Sequence, residues 1–195
     1  MAAPGLGVKT VKELVEKVRS TPNGLNYASA GVGSAAHVNA EKFVVGLKLK
    51  GNHVPYKGTA ALLNDLLGNN ISVAFTDIAS PVPHVRSGKL TALAATGSRR
   101  CPALPNLPTV SEQGYPFNAD GWYGVFAPAR TPADIVQRMN TEINKVLASE
   151  DTIQRFLELN MPTPPLKTAA QFASTVASDL TTWQNMAKGV NLKLD

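Results

Sequence analysis

The first hundred residues alternate short apolar segments with helical segments, and this alternation constrains the fold more than any other feature of the chain. Apolar runs bounded by turn residues predict strands at 25–29, 53–56, 71–75 and 90–96. Capping residues and apolar periodicity predict helices at 11–19, 34–47, 59–67 and 81–87. Chains of this kind fold as a mostly parallel sheet flanked by helices, so we expect an α/β fold.

The pattern changes after residue 130. A strand is predicted at 122–127, and the helices predicted beyond it lie at 133–148, 151–159 and 168–188. A layer of amphipathic helices needs a sheet to cover, and only one predicted strand closely precedes these helices. We therefore expect two regions: an α/β lobe at 1–121, and at 122–195 a hinge strand with the C-terminal helices of a lobe that is present only in part.

Residues 26–37 carry the strongest indication of a binding site. Their sequence is Asn-Tyr-Ala-Ser-Ala-Gly-Val-Gly-Ser-Ala-Ala-His, which is typical of a strand, a turn of small residues and a helix start. The first turn of a helix has free N–H groups and the positive end of the helix dipole, which together attract a carboxylate or phosphate. The residues alone are equally compatible with an ordinary tight turn that binds nothing.

Two other interpretations fit this segment poorly. A dinucleotide-binding loop would need a third glycine where Ala36 stands, and an acidic residue about twenty residues further on in a matching strand. A nucleophilic serine at Ser34 would need the Gly-x-Ser-x-Gly turn, but two alanines follow Ser34. His37 lies three residues after Ser34, where a histidine more often packs between helix and sheet than donates to an anion.

Composition narrows the remaining classes of protein. The net charge is +5, but the basic residues are scattered and are not interleaved with aromatic residues, so a nucleic-acid interface is not expected. Cys101 is the single cysteine, which excludes an internal disulfide, and no apolar run approaches the ~20 residues of a membrane span. The spacing of His53, His84 and Cys101 does not indicate a metal site, and no cofactor is predicted.

Several motifs occur in one order along nearly the whole chain. They are the 26–37 segment, His-Val-Pro-Tyr-Lys-Gly at 53–58, Asp-Leu-Leu-Gly-Asn at 65–69, Ser-Gly-Lys-Leu at 87–90, Leu-Pro-Asn-Leu-Pro-Thr-Val-Ser-Glu-Gln-Gly-Tyr-Pro at 104–116, and Trp-Tyr-Gly-Val-Phe-Ala-Pro at 122–128. No single motif is decisive, but the ordered set closely resembles the Bug family, the extracytoplasmic solute receptors of tripartite tricarboxylate transporters.

The resemblance implies a periplasmic-binding-protein-like fold, in which two α/β lobes close on a small ligand. Ligands of the family are typically di- or tricarboxylates, acidic amino acids or aromatic acids, which the receptor delivers in the periplasm to membrane transporter subunits. Against the family pattern the chain looks N-terminally truncated, without the signal peptide, the first half of lobe one and its Gly-Gly-x-x-Asp type loop. On that pattern 1–121 is the second ligand-binding lobe, and 122–195 belongs to a partial first lobe.

The resemblance favours a carboxylate site at the small-residue loop. We expect the hydroxyls of Ser29 and Ser34, with N–H groups of the turn, to bind one carboxylate through short, charge-assisted hydrogen bonds. The predicted ligand-binding set is Ser29, Ala30, Gly31, Gly33, Ser34, Ala35, Tyr56, Lys57, Gly58 and Asp77. The turn at 56–58 follows a strand end, where α/β proteins bind ligands, and Asp77 either contacts a second polar group of the ligand or caps the next segment.

The favoured function is therefore that of a non-enzymatic solute receptor, and two alternatives remain. One is a small hydrolase or phosphate-using enzyme that employs the same anion loop, and the other is a degenerate sensor or interaction module that binds no solute. The helices beyond residue 130 should have apolar faces without a sheet to cover. These faces either repack, stay mobile or pair with another copy, so self-association through the C-terminal helices is one expected outcome.

Overall fold

A computed structural model of the chain describes residues 1–159, 161 and 163–189, which divide into two compact units at 1–121 and 122–189. The first unit contains four α-helices and three strands. In chain order these are α1 (Val11–Ser20), β1 (Leu25–Ser29), α2 (Ala35–Gly46), β2 (Gly51–Pro55), α3 (Thr59–Leu67), β3 (Val73–Ala74) and α4 (Val82–Arg86). The predicted helices of this unit are confirmed to within one or two residues.

The three strands form a parallel sheet in the order β2-β1-β3. The central strand β1 pairs along its whole length with β2, from Leu25 opposite Gly51 to Ser29 opposite Pro55. On its other side β1 pairs with β3, where Tyr27 lies opposite Val73. The predicted α/β fold with a parallel sheet is therefore confirmed, and the carboxyl ends of all three strands lie at one edge.

Two predicted strands of the first unit differ from the observed elements. The strand predicted at 71–75 is reduced to the two residues of β3, and the one predicted at 90–96 is not a continuous strand. The 90–96 segment changes partner along its length, because Thr91 pairs with Ala2 whereas Ala95 pairs with Thr109. Ala2 also pairs with Val73 in antiparallel fashion, so the first residues of the chain extend the sheet beyond β3.

Helices cover both faces of this sheet. Tyr27 and Val73 face a cluster with α1 and α2, whose buried members include Leu14, Val15 and Phe43. The neighbouring Ala28 and Ala74 point to the other face, where they pack with Leu62, Leu63 and Leu66 of α3. Successive residues of a strand alternate between faces, so β1 and β3 each contribute to both clusters, and this packing fixes the positions of the loops that follow them.

The capping interactions explain where several helices begin. The Thr10 hydroxyl accepts from the Glu13 N–H at 3.1 Å, and the Glu13 carboxylate accepts from the N–H of Lys9, one residue before Thr10. A complete capping box precedes the short 3₁₀ helix Ser111–Gln113. There the Thr109 hydroxyl accepts from the Glu112 N–H at 3.1 Å, and the Glu112 carboxylate accepts from the Thr109 N–H at 2.7 Å.

The second unit consists of an irregular segment and three helices, α5 (Ala133–Leu147), α6 (Glu150–Glu158) and α7 (Ala169–Gly189). The strand predicted at 122–127 is wrong, because among the described residues no strand pairs with this segment and an unpaired backbone cannot form a ladder. Residues 190–195 of the predicted region lie outside the described residues. Within the described part of the chain, no helix is both long enough and apolar enough to cross a membrane.

Candidate functional site

The predicted site residues lie in three loops at the carboxyl edge of the sheet, except Ser29, which ends β1, and Ala35, which begins α2. Residues 30–34 connect β1 to α2, residues 56–58 connect β2 to α3, and residues 75–81 follow β3. Since β1 lies between β2 and β3, the first loop has the other two as neighbours. This is the edge at which open parallel sheets bind ligands.

Short contacts join the three loops. The Tyr56 N–H donates to the Ser29 carbonyl at 3.0 Å, and a Cβ at Gly31 would lie 3.7 Å from the Tyr56 carbonyl oxygen. The Thr59 hydroxyl donates to the Asp77 carboxylate at 2.9 Å, which connects the start of α3 to the loop after β3. The structure therefore brings residues from all three predicted segments together.

The hydroxyls of Ser29 and Ser34 are engaged within the 30–34 loop. Ser29 is completely buried and donates to the Gly31 carbonyl at 3.1 Å. Ser34 donates to the same carbonyl at 2.8 Å and accepts from the His37 N–H at 3.2 Å, as the N-cap of α2. Both serines thus hold the shape of the loop, and their predicted contact with a ligand stays a prediction.

The free donors of the loop are the first N–H groups of α2. Among the described residues, Ala35 and Ala36 have no hydrogen-bond partner for their N–H groups, whereas the next N–H, that of His37, is capped by Ser34. The Gly33 N–H donates to the His37 ring at Nδ1, 3.0 Å away. Gly31 and Gly33 have φ values of 138° and 74°, a region that favours glycine, while Ala30 lies between Ser29 and Gly31 and is half-buried.

The 56–58 loop leads directly into a second helix N-terminus. Gly58, with φ of 100°, precedes α3 and has no side chain to cap its first turn. Lys57 is exposed beside it. The Tyr56 hydroxyl donates to Asp65 at 2.7 Å, and this bond together with burial raises the pKa of Tyr56 to about 12. The tyrosine ring is therefore held against α3 in this structure, and its predicted contact with a ligand stays a prediction.

Asp77 acts as a cap in this structure. Its carboxylate accepts from the Ser80 N–H at 3.0 Å and from the Thr59 hydroxyl. Burial works to raise the pKa of Asp77, but the hydrogen bonds from Ser80 and Thr59 outweigh burial and hold the pKa below its usual range. Of the two roles that the sequence allowed for Asp77, the structure shows the capping role, with the carboxylate charged.

A partly buried polar cluster lies behind the 30–34 loop, and sequence analysis did not identify it as a unit. It consists of Tyr27 on β1, His37 and Glu41 on α2, and His53 on β2. The Tyr27 hydroxyl donates to the Glu41 carboxylate, whose nearer oxygen lies 3.5 Å from His37 Nε2. The spacing of His37 and Glu41, four residues apart on one helix, was visible in the sequence, but the pairing of Tyr27 with His53 required the strand register.

The two histidine rings of this cluster stack face to face. Their centroids are 3.7 Å apart at an angle of 11°, and His53 Nε2 lies 2.8 Å from the Ser29 hydroxyl oxygen. Burial and the nearby His37 lower the pKa of His53, although Glu41 opposes the shift. Burial and the bond to Glu41 raise the pKa of Tyr27. The cluster is therefore built to hold His53 and Tyr27 uncharged.

His37, Glu41 and His53 offer possible metal-ligand atoms within 4.8 Å of one another, but their arrangement does not fit a metal ion. A histidine ligand normally donates its second ring N–H, whereas His37 Nδ1 accepts from the Gly33 N–H, which places the proton on Nε2. In addition, the lone pair of a ring nitrogen lies in the plane of its ring. Because the two histidine rings are stacked nearly parallel, their lone pairs run in parallel planes and do not converge on one metal position. The hydrogen bonds instead link the cluster to the loop.

The chain is similar in sequence to a known family of transport receptors. The family model described as the tripartite tricarboxylate transporter family receptor (TctC) matches residues 1–192. BugT of Bordetella pertussis is 31% identical over 192 residues, which are 98% of this chain and 59% of BugT. A protein from the tcbD-tcbE intergenic region of Pseudomonas sp. is 32% identical over 157 residues, which are 80% of this chain and 47% of that protein.

Solved structures agree with the sequence relatives. An R. palustris protein with adipate has a TM-score of 0.86 and 28% identity, with coverage of 96% of this chain and 63% of that protein. MatC of Rhodopseudomonas palustris, with bound malate, has a TM-score of 0.80 and 30% identity, with coverage of 95% and 64%. The chain thus spans less than two thirds of the length of these relatives. These matches confirm the resemblance, and the chain belongs to the tripartite tricarboxylate transporter receptor family, which includes the Bug proteins.

Proposed function

We propose that this chain supplies the carboxylate-binding loops of a periplasmic solute receptor, and that the receptor delivers a small carboxylate to a tripartite tricarboxylate transporter. One observation carries this proposal. Within the described part of the chain, the N–H groups of Ala35 and Ala36 have no partner at the start of α2, directly after the loop that follows the central strand. A helix N-terminus with free donors binds anions, and the uncapped start of α3 lies after the adjacent strand.

The class of ligand follows from these donors and from the family. Adipate is bound to one similar structure and malate to another, and both are dicarboxylates. Backbone N–H groups suit a carboxylate of any chain length, so the loop sets the class of ligand rather than its identity. Di- or tricarboxylates, acidic amino acids and aromatic acids are therefore all candidate ligands. The charged Asp77 near the loops favours a ligand with an additional hydroxyl or ammonium group.

The enzymatic alternative receives no support. The family is one of solute-binding receptors, which are not enzymes. A nucleophilic serine needs a base within hydrogen-bond reach, but the Ser34 hydroxyl donates to a carbonyl and His37 Nδ1 accepts from the Gly33 N–H. These side chains therefore build the loop.

The test removes one free N–H group from the site. Ala35 is the first residue of α2, where proline is well tolerated, and Ser34 before it has φ of −65° and ψ of 157°, which suit a residue that precedes proline. Ala35→Pro therefore deletes the donor and keeps the helix. We expect dissociation constants for malate or adipate in the millimolar range for the unaltered chain, and at least about ten-fold weaker binding for Ala35→Pro, as loss of a hydrogen bond to a charged group requires.

Binding is measured from amide NMR shifts at increasing ligand concentration. Ala133→Pro is the matched control, because Ala133 is also the first residue of a helix and Pro132 before it has φ of −53° and ψ of 143°. This control should bind like the unaltered chain. Equal affinities for Ala35→Pro and Ala133→Pro, or shifts that spread evenly over the surface, would overturn the assignment of the loop.

A further inference from the structure

We propose that His37 is a positioning residue whose proton controls the carboxylate loop, so that the anion binds together with one proton. The inference rests on the proposed function, because it concerns the same 30–34 loop. The observation behind it is the bond from the Gly33 N–H to His37 Nδ1, at 3.0 Å. Gly33 itself is exposed at the loop surface, whereas the ring that it contacts is only 6% exposed.

The direction of this hydrogen bond fixes the tautomer of His37. A backbone N–H can only donate, so Nδ1 has no proton and the neutral ring carries its proton on Nε2. Nε2 faces the Glu41 carboxylate at 3.5 Å. Protonation of His37 must therefore occur at Nδ1, which turns the acceptor of the Gly33 N–H into a second donor. The two groups cannot then bond, and the Gly33 N–H must find another acceptor.

The groups around His37 allow one positive charge there. Glu41 on α2 faces the ring and is the nearest carboxylate, and the Tyr27 hydroxyl on β1 already donates to it. His53 on β2 stacks on His37 at 3.7 Å, and its Nε2 lies 2.8 Å from the Ser29 hydroxyl oxygen, which also contacts the Gly31 carbonyl. His53 thus stays neutral while a charge on His37 is paired with Glu41.

An anion bound in the loop would accept the hydrogen bond that the Gly33 N–H no longer makes to His37. With His37 protonated, the released Gly33 N–H joins the free N–H groups of Ala35 and Ala36 as a third donor at one turn. The imidazolium behind the loop adds an attractive charge for the ligand. Conversely, a bound carboxylate stabilises the protonated ring. Binding of the anion and uptake of the proton therefore favour each other, by the same factor in both directions.

The first experiment follows the ring and the loop without any ligand. In a ¹⁵N-labelled chain, long-range ring correlations report the His37 tautomer, and the Gly33 amide reports its hydrogen bond, as the pH is lowered from 8 to 5. We expect Nε2 protonation at pH 8, and a Gly33 amide shift that moves with the His37 titration. In His37→Asn, whose side-chain oxygen accepts near the position of Nδ1 but does not titrate in this range, the Gly33 shift should not follow pH. His84→Asn, which alters a histidine on α4 outside the cluster, should leave the coupled titration intact.

The second experiment measures malate binding at each pH. The affinity of the unaltered chain and of His84→Asn should rise as the pH falls, by up to about ten-fold per pH unit, which is the limit for one proton. His37→Asn should bind with an affinity that does not depend on pH in the same range. Two results would overturn the inference and leave the proposed function standing. One is equal affinity of the unaltered chain for malate at pH 8 and 5.5, and the other is a Gly33 amide shift that does not change with the protonation of His37. Absence of malate or adipate binding at every pH would count against the proposed function, while the ligand-free titration still decides the role of His37.

Discussion

At the scale of single residues, most of the polar groups of the loop serve its architecture. The Gly31 carbonyl accepts from both Ser29 and Ser34, and these bonds tie the end of β1 to the start of α2. The small-residue pattern predicted the loop and its helix start. The pattern could not show which hydroxyls remain free, because this depends on which carbonyl each hydroxyl reaches after the turn has closed.

The half-buried His53 of the polar cluster makes the stability of the first unit depend on pH. The pKa of His53 is lower in the folded chain than its usual value of about 6.5, so the unfolded chain binds more protons as the pH falls. The free energy of unfolding therefore has its full value, as far as His53 is concerned, above about pH 7. It decreases progressively as the pH falls below about 6.5 toward the pKa of His53 in the folded chain. We expect the unfolding free energy of the 1–121 unit, measured with urea, to fall from pH 7.5 to 5.5.

Substitutions of His53 and His84 distinguish the contribution of His53 from a loss of stability that any acidification would cause. His53→Gln should be less stable at neutral pH and should show a shallower loss on acidification, because the group that titrates is absent. His84→Gln serves as the control and should keep the slope of the unaltered chain. If the slope were the same in His53→Gln as in His84→Gln, His53 would not be the source of the dependence.

At the scale of elements, local patterns predicted helices better than strands. A helix forms its hydrogen bonds within one segment, and capping residues such as Thr109 and Thr168 mark its start in the sequence. A strand forms its hydrogen bonds with a partner that the segment does not specify. The 122–127 segment has strand-like residues, yet Tyr123 and Val125 are 87% and 73% exposed. The sequence also could not predict that Ala2 joins the sheet, because its pairing partner Thr91 lies far away along the chain.

The join between α1 and β1 depends on a single glycine. Gly24 has φ of 71°, and a Cβ there would lie 1.9 Å from the Lys50 carbonyl oxygen at the start of β2. We expect Gly24→Ala to destabilise the first unit by at least about 2 kcal/mol, because both the backbone conformation and the close approach of β2 exclude a side chain. Urea unfolding measures the loss.

Gly46 provides the matched control for this substitution. It is the last residue of α2, its φ is not positive, and nothing lies within 4 Å of a Cβ built there. Gly46→Ala should leave the unfolding free energy unchanged or raise it by up to about 1 kcal/mol. Similar losses for the two variants would show that the backbone of the first unit tolerates a side chain at residue 24.

At the scale of the whole molecule, the two units differ in how well they bury apolar residues. The first unit has helices on both faces of its sheet. In the second unit, neither α5 nor α6 has a buried residue, and exposed apolar side chains such as Met139 and Val146 lie on one face of α5. The sequence predicted such uncovered helical faces, since the periodicity of α5 implies a partner layer that the residues after 130 do not supply.

These apolar faces support the proposal that the chain self-associates. Light scattering coupled to size-exclusion chromatography should give a mass that rises with protein concentration. Met139→Lys combined with Val146→Lys should shift the chain toward the monomer, because two charges would be buried in the contact. Gln137→Lys adds a charge to the opposite side of α5 and should leave the association unchanged. A concentration-independent monomeric mass for the unaltered chain would contradict the proposal.

The position of β1 has a consequence for the energetics of recognition. The loop follows the middle strand of the sheet, and its first anchor, Ser29, is completely buried and lies opposite Pro55 of β2. The donors of Ala35 and Ala36 are thus preorganised before any ligand arrives. An anion at the proposed site would therefore lose little free energy to the conformational entropy of the loop, so a few backbone hydrogen bonds would suffice to hold it.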